Sequence, residues 1–363
     1  MNGQIQRHSL VPIMVNSILK DLPVERSENR CFGTTLKFGC LPMDHIIESC
    51  FERADELNAV MNQAGGLLIL KGLADLKLAP ELFVRLSRAF GPEVENYHQT
   101  LTSENFFHDT VPELLVLSAE PPCNHPPPPL PTPRLTETGT IPVQFPQRKE
   151  WHYDQSYRRP PPDISLLYAV IAAPQGQGQT LYADCTAAYE ALDRDIQRLI
   201  EGLNGIHAPS WIGRSESAVR AGESPKTLLP HQYPQKHPLV RIHPDSGRKS
   251  LFLCEPKQMD FVEGPIEGMQ TGPDGAGARL LYRLLSHATQ PCFVYMHEWD
   301  TGDLVIGDNR CLLHTATWYD ASRYPRVMWR TTVMGNPGKE YLGEEKSWIS
   351  QQGYAPMHGL ETS

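Results

Sequence analysis

Apolar residues at positions 46, 47, 50, 51, 54, 57, 60 and 61 of HIIESCFERADELNAVMN recur at the spacing of one helix face, which predicts an α-helix over 45–62. Beyond Gly65 and Gly66, the unbroken apolar run LLILKGL reads as a short buried strand. Leu82, Phe83, Leu86 and Phe90 share a face of a second helix, from Ala79 to Phe90, ended by Gly91 and Pro92. From Ile164 onward the pattern shortens: ISLLYAVIAA, TLYAD, CFVYMHEW, DLVIGDN, RCLLHTA and RVMWRTTVMG have the length and composition of strands. LVRIHPDSGRKSLFL reads as two more, turning around Asp245, Ser246 and Gly247. Two helices interrupt this series. One is AAYEALDRDIQRLIEGL, capped by Asp184 or Thr186, with Tyr189, Leu192, Ile196, Leu199, Ile200 and Leu203 in a single stripe; the other covers roughly 276–288. The polar stretch 208–236, punctuated by Pro and Gly, is long for a loop and predicts an insertion that covers something. Short strands with few helices argue for a barrel or a sandwich, without internal repeats.

Between Pro121 and Arg148 the chain changes character, with PPCNHPPPPLPTPR followed by TETGTIPVQFPQ. Proline fixes φ and removes a ladder donor, so this segment is expected to be an extended surface insertion. Because it leads directly into position 152, a flap over a site there is the alternative. The 363 residues are 40% apolar and 21% charged, enough to bury a sizeable core and too apolar for a disordered chain. The formal charge of -9 is spread, and no Lys/Arg block forms a footprint for nucleic acid or anionic lipid. Arg7, Asn16 and Lys20 interrupt the N-terminal apolar positions before a secretory segment forms, and no 18-residue apolar stretch follows. Eight Cys without a CxxC pair read as reduced thiols, and the protein is expected to be cytoplasmic.

The candidate chemistry starts in EWHYDQSY. On an extended segment, side chains two apart face the same way, so His152 and Asp154 can close on one ion while Tyr153 points away. Fourteen His and 42 acidic residues produce such triplets by chance, so the pair needs company. His314, in DNRCLLHTATW behind the Asp308-Asn309 turn, would complete two His and one carboxylate, the set associated with non-haem Fe(II) oxygenases. Alone, it reads more simply as a core histidine bonded to a carbonyl. His231, His237 and His243 recur every six residues, neither helical nor strand spacing, and read as loop and strand-end residues. Arg326 and Arg330 stand four apart on an apolar strand, so both guanidiniums can enter one cavity and grip a carboxylate.

Taken in order, His152-x-Asp154, Thr180, His314 and Arg326 resemble the metal and co-substrate signature of the Fe(II)/2-oxoglutarate-dependent dioxygenases. WHYDQSYRRPPPDISLLYAV, GQTLYADCTAAYEAL, HPLVRIHPDSGRKSLFL, GDLVIGDNRCLLH and RTTVMG are similar, more narrowly, to the taurine dioxygenase and 2,4-dichlorophenoxyacetate dioxygenase (TauD/TfdA) family. The likeness runs from about residue 60 to 335 of a single expected domain, 1–363. It leaves 1–40, the Pro-rich 121–148 and 338–363 outside. It implies an α+β, mainly β fold: a double-stranded β-helix, jelly-roll and cupin-like, with flanking helices. It implies Fe(II) on His152, Asp154 and His314, and 2-oxoglutarate held through its distal carboxylate by Thr180 and Arg326. Arg330 would lie near the chelating end and reach an anionic substrate.

Asn96, Tyr97 and His98 fall in the region that contacts substrate in the family, and Arg158 and Arg159 are closer to the metal motif, where a surface role is the simpler reading. The implied activity is oxidation of an unactivated C–H bond by O2, with release of succinate and carbon dioxide. Asp154, present where related halogenases have Gly or Ala, favours hydroxylation over halogenation. Desaturation, cyclisation or C–N bond formation on an amino acid would use the same residues. Iron with one carboxylate, two Arg and a dianionic co-substrate leaves room for one more anion, so a small carboxylate or sulfonate is the expected substrate, without nucleic acid or membrane, and a homo-oligomer is left open. The rivals are a zinc hydrolase on the same three ligands, which would not need the arginines, and an inactive β-barrel binding protein, which would not need the full set.

Overall fold

The computed structural model describes residues 24–29, 31–99, 106–119, 123–128, 151–334 and 347. Most of the Pro-rich 121–148 segment, and hence the expected flap, lies outside them. The chain opens with strands β1 (Val24–Glu28) and β2 (Thr34–Phe38), then helices α1 (Met43–Glu52) and α2 (Ala54–Gln63), strand β3 (Leu67–Lys71) and helix α3 (Pro80–Ser87). Strands β4 (Glu93–Val94), β5 (Leu115–Ser118), β6 (Ile164–Ile171) and β7 (Thr180–Asp184) follow, then α4 (Cys185–Glu190) and α5 (Arg194–Ile200). Next come β8 (Asn204–His207), α6 (Glu216–Arg220), β9 (Gln235–Pro238), β10 (Val240–Ile242), β11 (Lys249–Leu251) and α7 (Ala276–Ala288). Strands β12 (Val294–His297), β13 (Leu304–Asp308), β14 (Leu312–Ala316) and β15 (Val327–Met334) end the described chain.

Two sheets face each other. The larger runs β1-β2-β3-β13-β6-β15-β4, with β5 also paired to β15, and the smaller runs β12-β7-β14. Strand periodicity divides the side chains between three cores. Leu68 and Leu70 of β3, Leu304 and Ile306 of β13, and Ile164, Leu166 and Tyr168 of β6 pack outward under α1–α3. Their neighbours Leu67, Ile69, Val305, Ala169 and Met328 turn inward, against Tyr182 and Leu312 of the smaller sheet. That sheet's other face, with Leu181, Ala183 and Leu313, packs on α4, α7 and the β10–β11 hairpin. The inner layer therefore has lining from both sheets, and at one end its apolar filling gives way to polar groups.

Every strand read from the pattern is present, with two departures among the helices. The helix expected over 45–62 breaks at Arg53 (φ -111, ψ 34) into α1 and α2. The single stripe after Asp184 is cut between α4 and α5, where Gln197 Nε2 donates to the Tyr189 carbonyl across the break (2.9 Å). The apolar period runs on through each interruption, which periodicity cannot register, although Leu199, read as part of the second stripe, is exposed on α5. Of the expected extension 1–40, residues 24–28 and 34–38 are not appendages: β2 pairs in parallel with β3, and β1 in antiparallel with β2.

Asp184 is the cap that turns β7 into α4. Its carboxylate accepts from Thr186 N (3.0 Å) and Ala187 N (2.9 Å) while buried, and burial raises its pKa against those two bonds. Asp184→Ala is expected to lose about 1 kcal/mol of stability in urea denaturation, the usual cost of a lost N-cap. Asp184→Asn, which keeps the acceptor, should stay within a few tenths; equal losses in both would place the contribution outside the cap.

Candidate metal centre

The segment carrying His152 belongs to neither sheet, yet it docks on β14 as an isolated antiparallel bridge. His152 N donates to His314 O (2.9 Å) and His314 N to His152 O (3.0 Å), so the two residues sit directly opposite and their rings meet with centroids 4.4 Å apart. Tyr182 on β7 is the next residue in this row, paired with His314 in the ladder and stacked on its ring (6.0 Å, 26°). Extended geometry sends Tyr153 the other way, where it packs on Phe252 (4.4 Å) and donates its hydroxyl to Leu251 O (2.6 Å). The chain then turns sharply at Gln155 (φ 50). Asp154 is thereby swung under the two rings, its Oδ1 lying 3.9 Å from Nε2 of both His152 and His314.

Four hydrogen bonds from three residues hold Asp154. Arg330 Nη1 donates to Oδ1 (2.8 Å) and Ser165 Oγ to Oδ2 (2.6 Å). The Asn309 carboxamide clamps its backbone, accepting from Asp154 N (2.9 Å) and donating to Asp154 O (3.0 Å) and Pro162 O (2.9 Å). Burial alone would raise the carboxyl, but Arg330, His314, His152 and Ser165 together hold it well below the usual carboxylate range. Burial, helped by His152 and Arg330 and opposed by Asp154, brings His314 down to about 3. At neutral pH the site thus offers an ionised carboxylate and a neutral imidazole at position 314, the protonation states metal ligation needs. The ligand atoms of His152, Asp154 and His314 lie within 4.8 Å of one another, a set that fits a divalent cation bound from one side.

A second group among the described residues, His243, Asp308 and Cys311, has comparable spacing but different chemistry. Asp308 accepts two bonds from Arg310 (2.8 and 2.7 Å) and one from His243 Nε2 (2.8 Å), so its lone pairs are already committed. This lock instead stiffens the turn that presents Asn309.

The cavity in front of the metal ligands is lined from both sheets by Ser165, Leu167, Thr180, Tyr182, Arg326 and Arg330, among others. Arg326 and Arg330 enter it together, as their spacing predicts. Arg330 is engaged with Asp154, but Arg326 has no carboxylate partner among the described residues. It is buried, its Nε lacks a hydrogen-bond acceptor, and Tyr319 lies 5.6 Å from its guanidinium. An unpaired buried guanidinium beside a cavity is a built place for an anion.

Asn96, Tyr97 and His98 are not among the cavity-lining residues. Tyr97 is buried with its hydroxyl on Thr332 Oγ1 (3.0 Å), and His98 packs on Phe107. Arg158 pairs with the buried Glu95, and Arg159 Nη1 donates to Lys236 O, so neither is a loose surface charge. Sequence reasoning missed Ser165, Tyr182 and His125, which line the cavity, and the clamp by Asn309. Tyr182 alone carried a signal, since it follows Thr180 by two residues on one strand face.

The family model described as "Taurine catabolism dioxygenase TauD, TfdA family" matches residues 44–332. The chain is 39% identical over 183 residues to the alpha-ketoglutarate-dependent 2,4-dichlorophenoxyacetate dioxygenase of Cupriavidus pinatubonensis, covering 50% of this chain and 59% of that protein. It is 36% identical over 194 residues to the (S)-phenoxypropionate/alpha-ketoglutarate-dioxygenase of Sphingobium herbicidovorans, covering 52% and 63%. The matched part thus spans less than two thirds of these relatives. Among solved structures, AAD-2 in complex with Mn(II) and N-oxalylglycine superposes with a TM-score of 0.59 at 28% identity, over 86% of this chain and 98% of that one. A taurine dioxygenase from Burkholderia xenovorans shares the fold, with a TM-score of 0.59 at 23% identity over 86% and 90%.

Two expectations test how the centre is held. Asn309→Ala is expected to weaken Mn(II) binding by roughly 10- to 100-fold, as for other groups that orient a ligand, in calorimetric titration of the folded protein. Unchanged affinity would show that Asp154 is held without the clamp. The turn after Asp154 is also braced by buried histidines: His237 Nε2 donates to Ser156 O (2.8 Å) and His207 Nδ1 lies 2.9 Å from Ser156 Oγ. Burial, with Arg241, lowers His207 from 6.5 to about 3, and burial lowers His237 well below 6.5. Below pH 6.5 the unfolded chain takes up protons that the fold refuses, so stability is complete above 6.5 and falls toward pH 3. For His207 the loss at pH 5 is about 2 kcal/mol. Urea midpoints should therefore fall between pH 7.5 and 5, and His207→Gln should remove about one proton from that dependence; an unchanged slope would contradict the assignment.

Proposed function

Because the chain belongs to the taurine catabolism dioxygenase TauD, TfdA family, we propose that it is an Fe(II)- and 2-oxoglutarate-dependent dioxygenase acting on a C–H bond of a small organic monoanion. The observation that carries this reading is the conjunction, in one cavity, of two His and a carboxylate with the unpaired Arg326. His152, Asp154 and His314 would hold Fe(II), and Thr180 with Arg326 would hold the distal carboxylate of 2-oxoglutarate. N-oxalylglycine, present in the AAD-2 complex, has the same two carboxylates joined through an amide and supports a 2-oxo diacid as the co-substrate. We read the two facing sheets as the halves of a double-stranded β-helix within a single domain.

When bound, the iron supplies oxygen activation, coupled to decarboxylation of 2-oxoglutarate to succinate and carbon dioxide. The chain's own residues orient and exclude. Arg330 and Ser165 fix Asp154 so that its carboxylate stays ionised and aimed. Neutral His314 offers its Nε2 lone pair, and the Tyr182 ring over it restricts rotation. Leu117, Leu167 and Leu312 wall the cavity and keep water from the reacting groups. Charge favours a monoanionic substrate. Glu95 neutralises Arg158, so the metal, Asp154, Arg326 and Arg330 sum to roughly three positive charges, of which 2-oxoglutarate cancels two. Hydroxylation is the outcome we assign, since Asp154 fills the position an added halide would need.

Incubation with Fe(II), 2-oxoglutarate and a panel of carboxylates, sulfonates and their neutral esters or amides tests this. Succinate should form only in oxygen, with acids outpacing neutral analogues at least tenfold and products heavier by one oxygen, and Asp154→Ala should abolish it. Oxygen-independent hydrolysis, or no succinate from metal-loaded protein across the panel, would overturn the reading.

A further inference from the structure

Trp299 stands two residues beyond β12, buried, and its Nε1 donates to Thr180 Oγ1 (3.0 Å). The direction of that bond is not a matter of rotor or tautomer. An indole N–H only donates, so the Thr180 oxygen must accept. Thr180 is left with one proton and, among the described residues, no acceptor for it. Its hydroxyl lines the cavity together with Arg326, whose five N–H groups also only donate. The indole is held in place: it packs edge-on against His297 (4.5 Å, 89°) and belongs to the core between the two sheets, while the Trp299 backbone carbonyl accepts from Gln175 Nε2 (3.1 Å). Trp299 itself does not line the cavity.

We propose that Trp299 is a positioning residue that makes Thr180 a donor toward the bound co-substrate, and so selects a carboxylate over a carboxamide at that end of the 2-oxo acid. This rests on the assignment of Thr180 and Arg326 to the distal carboxylate. With one Thr180 lone pair committed to the indole, the Thr180 hydroxyl hydrogen and the Arg326 N–H groups are left to face a ligand at this end of the cavity. A carboxylate, which only accepts, satisfies all of them. A carboxamide turns an NH2 toward donors and leaves buried groups unpaired, the situation that gives the steepest discrimination between isosteres. Without the indole N–H, the Thr180 hydroxyl is free to rotate and to accept, so affinity for the acid falls and tolerance of the amide rises.

The test is calorimetric binding to full-length, Mn(II)-loaded protein without oxygen, using 2-oxoglutarate, its distal amide 2-oxoglutaramate, and 2-oxopentanoate, which lacks the distal group. Trp299→Phe is expected to weaken 2-oxoglutarate by about tenfold, the scale of one oriented hydrogen bond to a charged group. It should narrow the acid-to-amide preference and leave 2-oxopentanoate unchanged. Thr180→Val should weaken 2-oxoglutarate similarly, and the double variant should be no weaker than Thr180→Val alone. In turnover, KM for 2-oxoglutarate should rise while kcat at saturation changes little. Benzothienylalanine at position 299, which replaces only the N–H by sulfur, carries the same expectations if the phenylalanine variant folds poorly. Equal weakening of 2-oxopentanoate, an unchanged acid-to-amide ratio, or multiplying effects in the double variant would overturn the inference and leave the proposed function standing. Wild-type protein that binds none of the three acids would overturn both.

Discussion

Two backbone hydrogen bonds between His152 and His314 tie a segment outside both sheets to an edge of the smaller one. The bridge converts a separation of more than 150 positions into a ring contact, and it fixes which way the following residues face. Asp154 can come under both imidazoles only because this bridge sets the phase of the segment and the positive-φ turn at Gln155 ends it. The supporting groups come from far away in sequence: Ser165 from β6, Asn309 from the turn after β13, Arg330 from β15. Each approaches Asp154 from a different part of the chain, so its carboxylate and backbone are fixed from the larger sheet and its turn while the imidazoles meet at the smaller one. A site assembled across two layers inherits its rigidity from both.

Electrostatic pairing explains the division of labour between the two arginines. Burial makes an unpaired charge expensive, and nearly every buried charge around the cavity has an opposite at hand: Arg330 with Asp154, Arg158 with Glu95, Arg310 with Asp308. Arg326 departs from that rule, with only the Tyr319 and Tyr182 rings to offset its desolvation. Under the proposed function, that cost falls at the position where a dianionic co-substrate would bring the missing charge. The two arginines, alike in the sequence pattern, thus differ in their surroundings: Arg330 is engaged with Asp154, while Arg326 has no carboxylate partner among the described residues.

The sequence disclosed what is local. Period-two alternation correctly separated His152 and Asp154 from Tyr153, placed Thr180 and His314 on strands, and paired Arg326 with Arg330. It did not show where Asn96, Tyr97 and His98 stand relative to the cavity, because their location depends on the pairing of Val94 with Val333, which no local pattern encodes. Ser165 looked like any small residue on a strand. Asn309 was legible as a turn former, but not as a carboxamide reaching Asp154 across 155 positions. Trp299 was read as the end of the strand CFVYMHEW, but β12 stops at His297, and nothing local shows the indole reaching Thr180 119 positions away. The helix breaks at Arg53 and between α4 and α5 escaped for the opposite reason: the local signal was too regular.

The first two strands have a consequence for how the molecule survives in solution. β3 carries the unbroken run Leu67–Leu70, fully buried, and its outer edge is covered by β2 alone. β2 in turn hands the sheet's boundary to β1, whose Glu25, Arg26 and Glu28 side chains are exposed and charged. The family match begins only at residue 44, past both strands. Cut to that span, the chain would keep His152, Asp154 and His314 but leave the edge of an aliphatic strand unpaired, and such an edge is a template for another chain. The opening strands thus replace an apolar boundary of the sheet with a charged one.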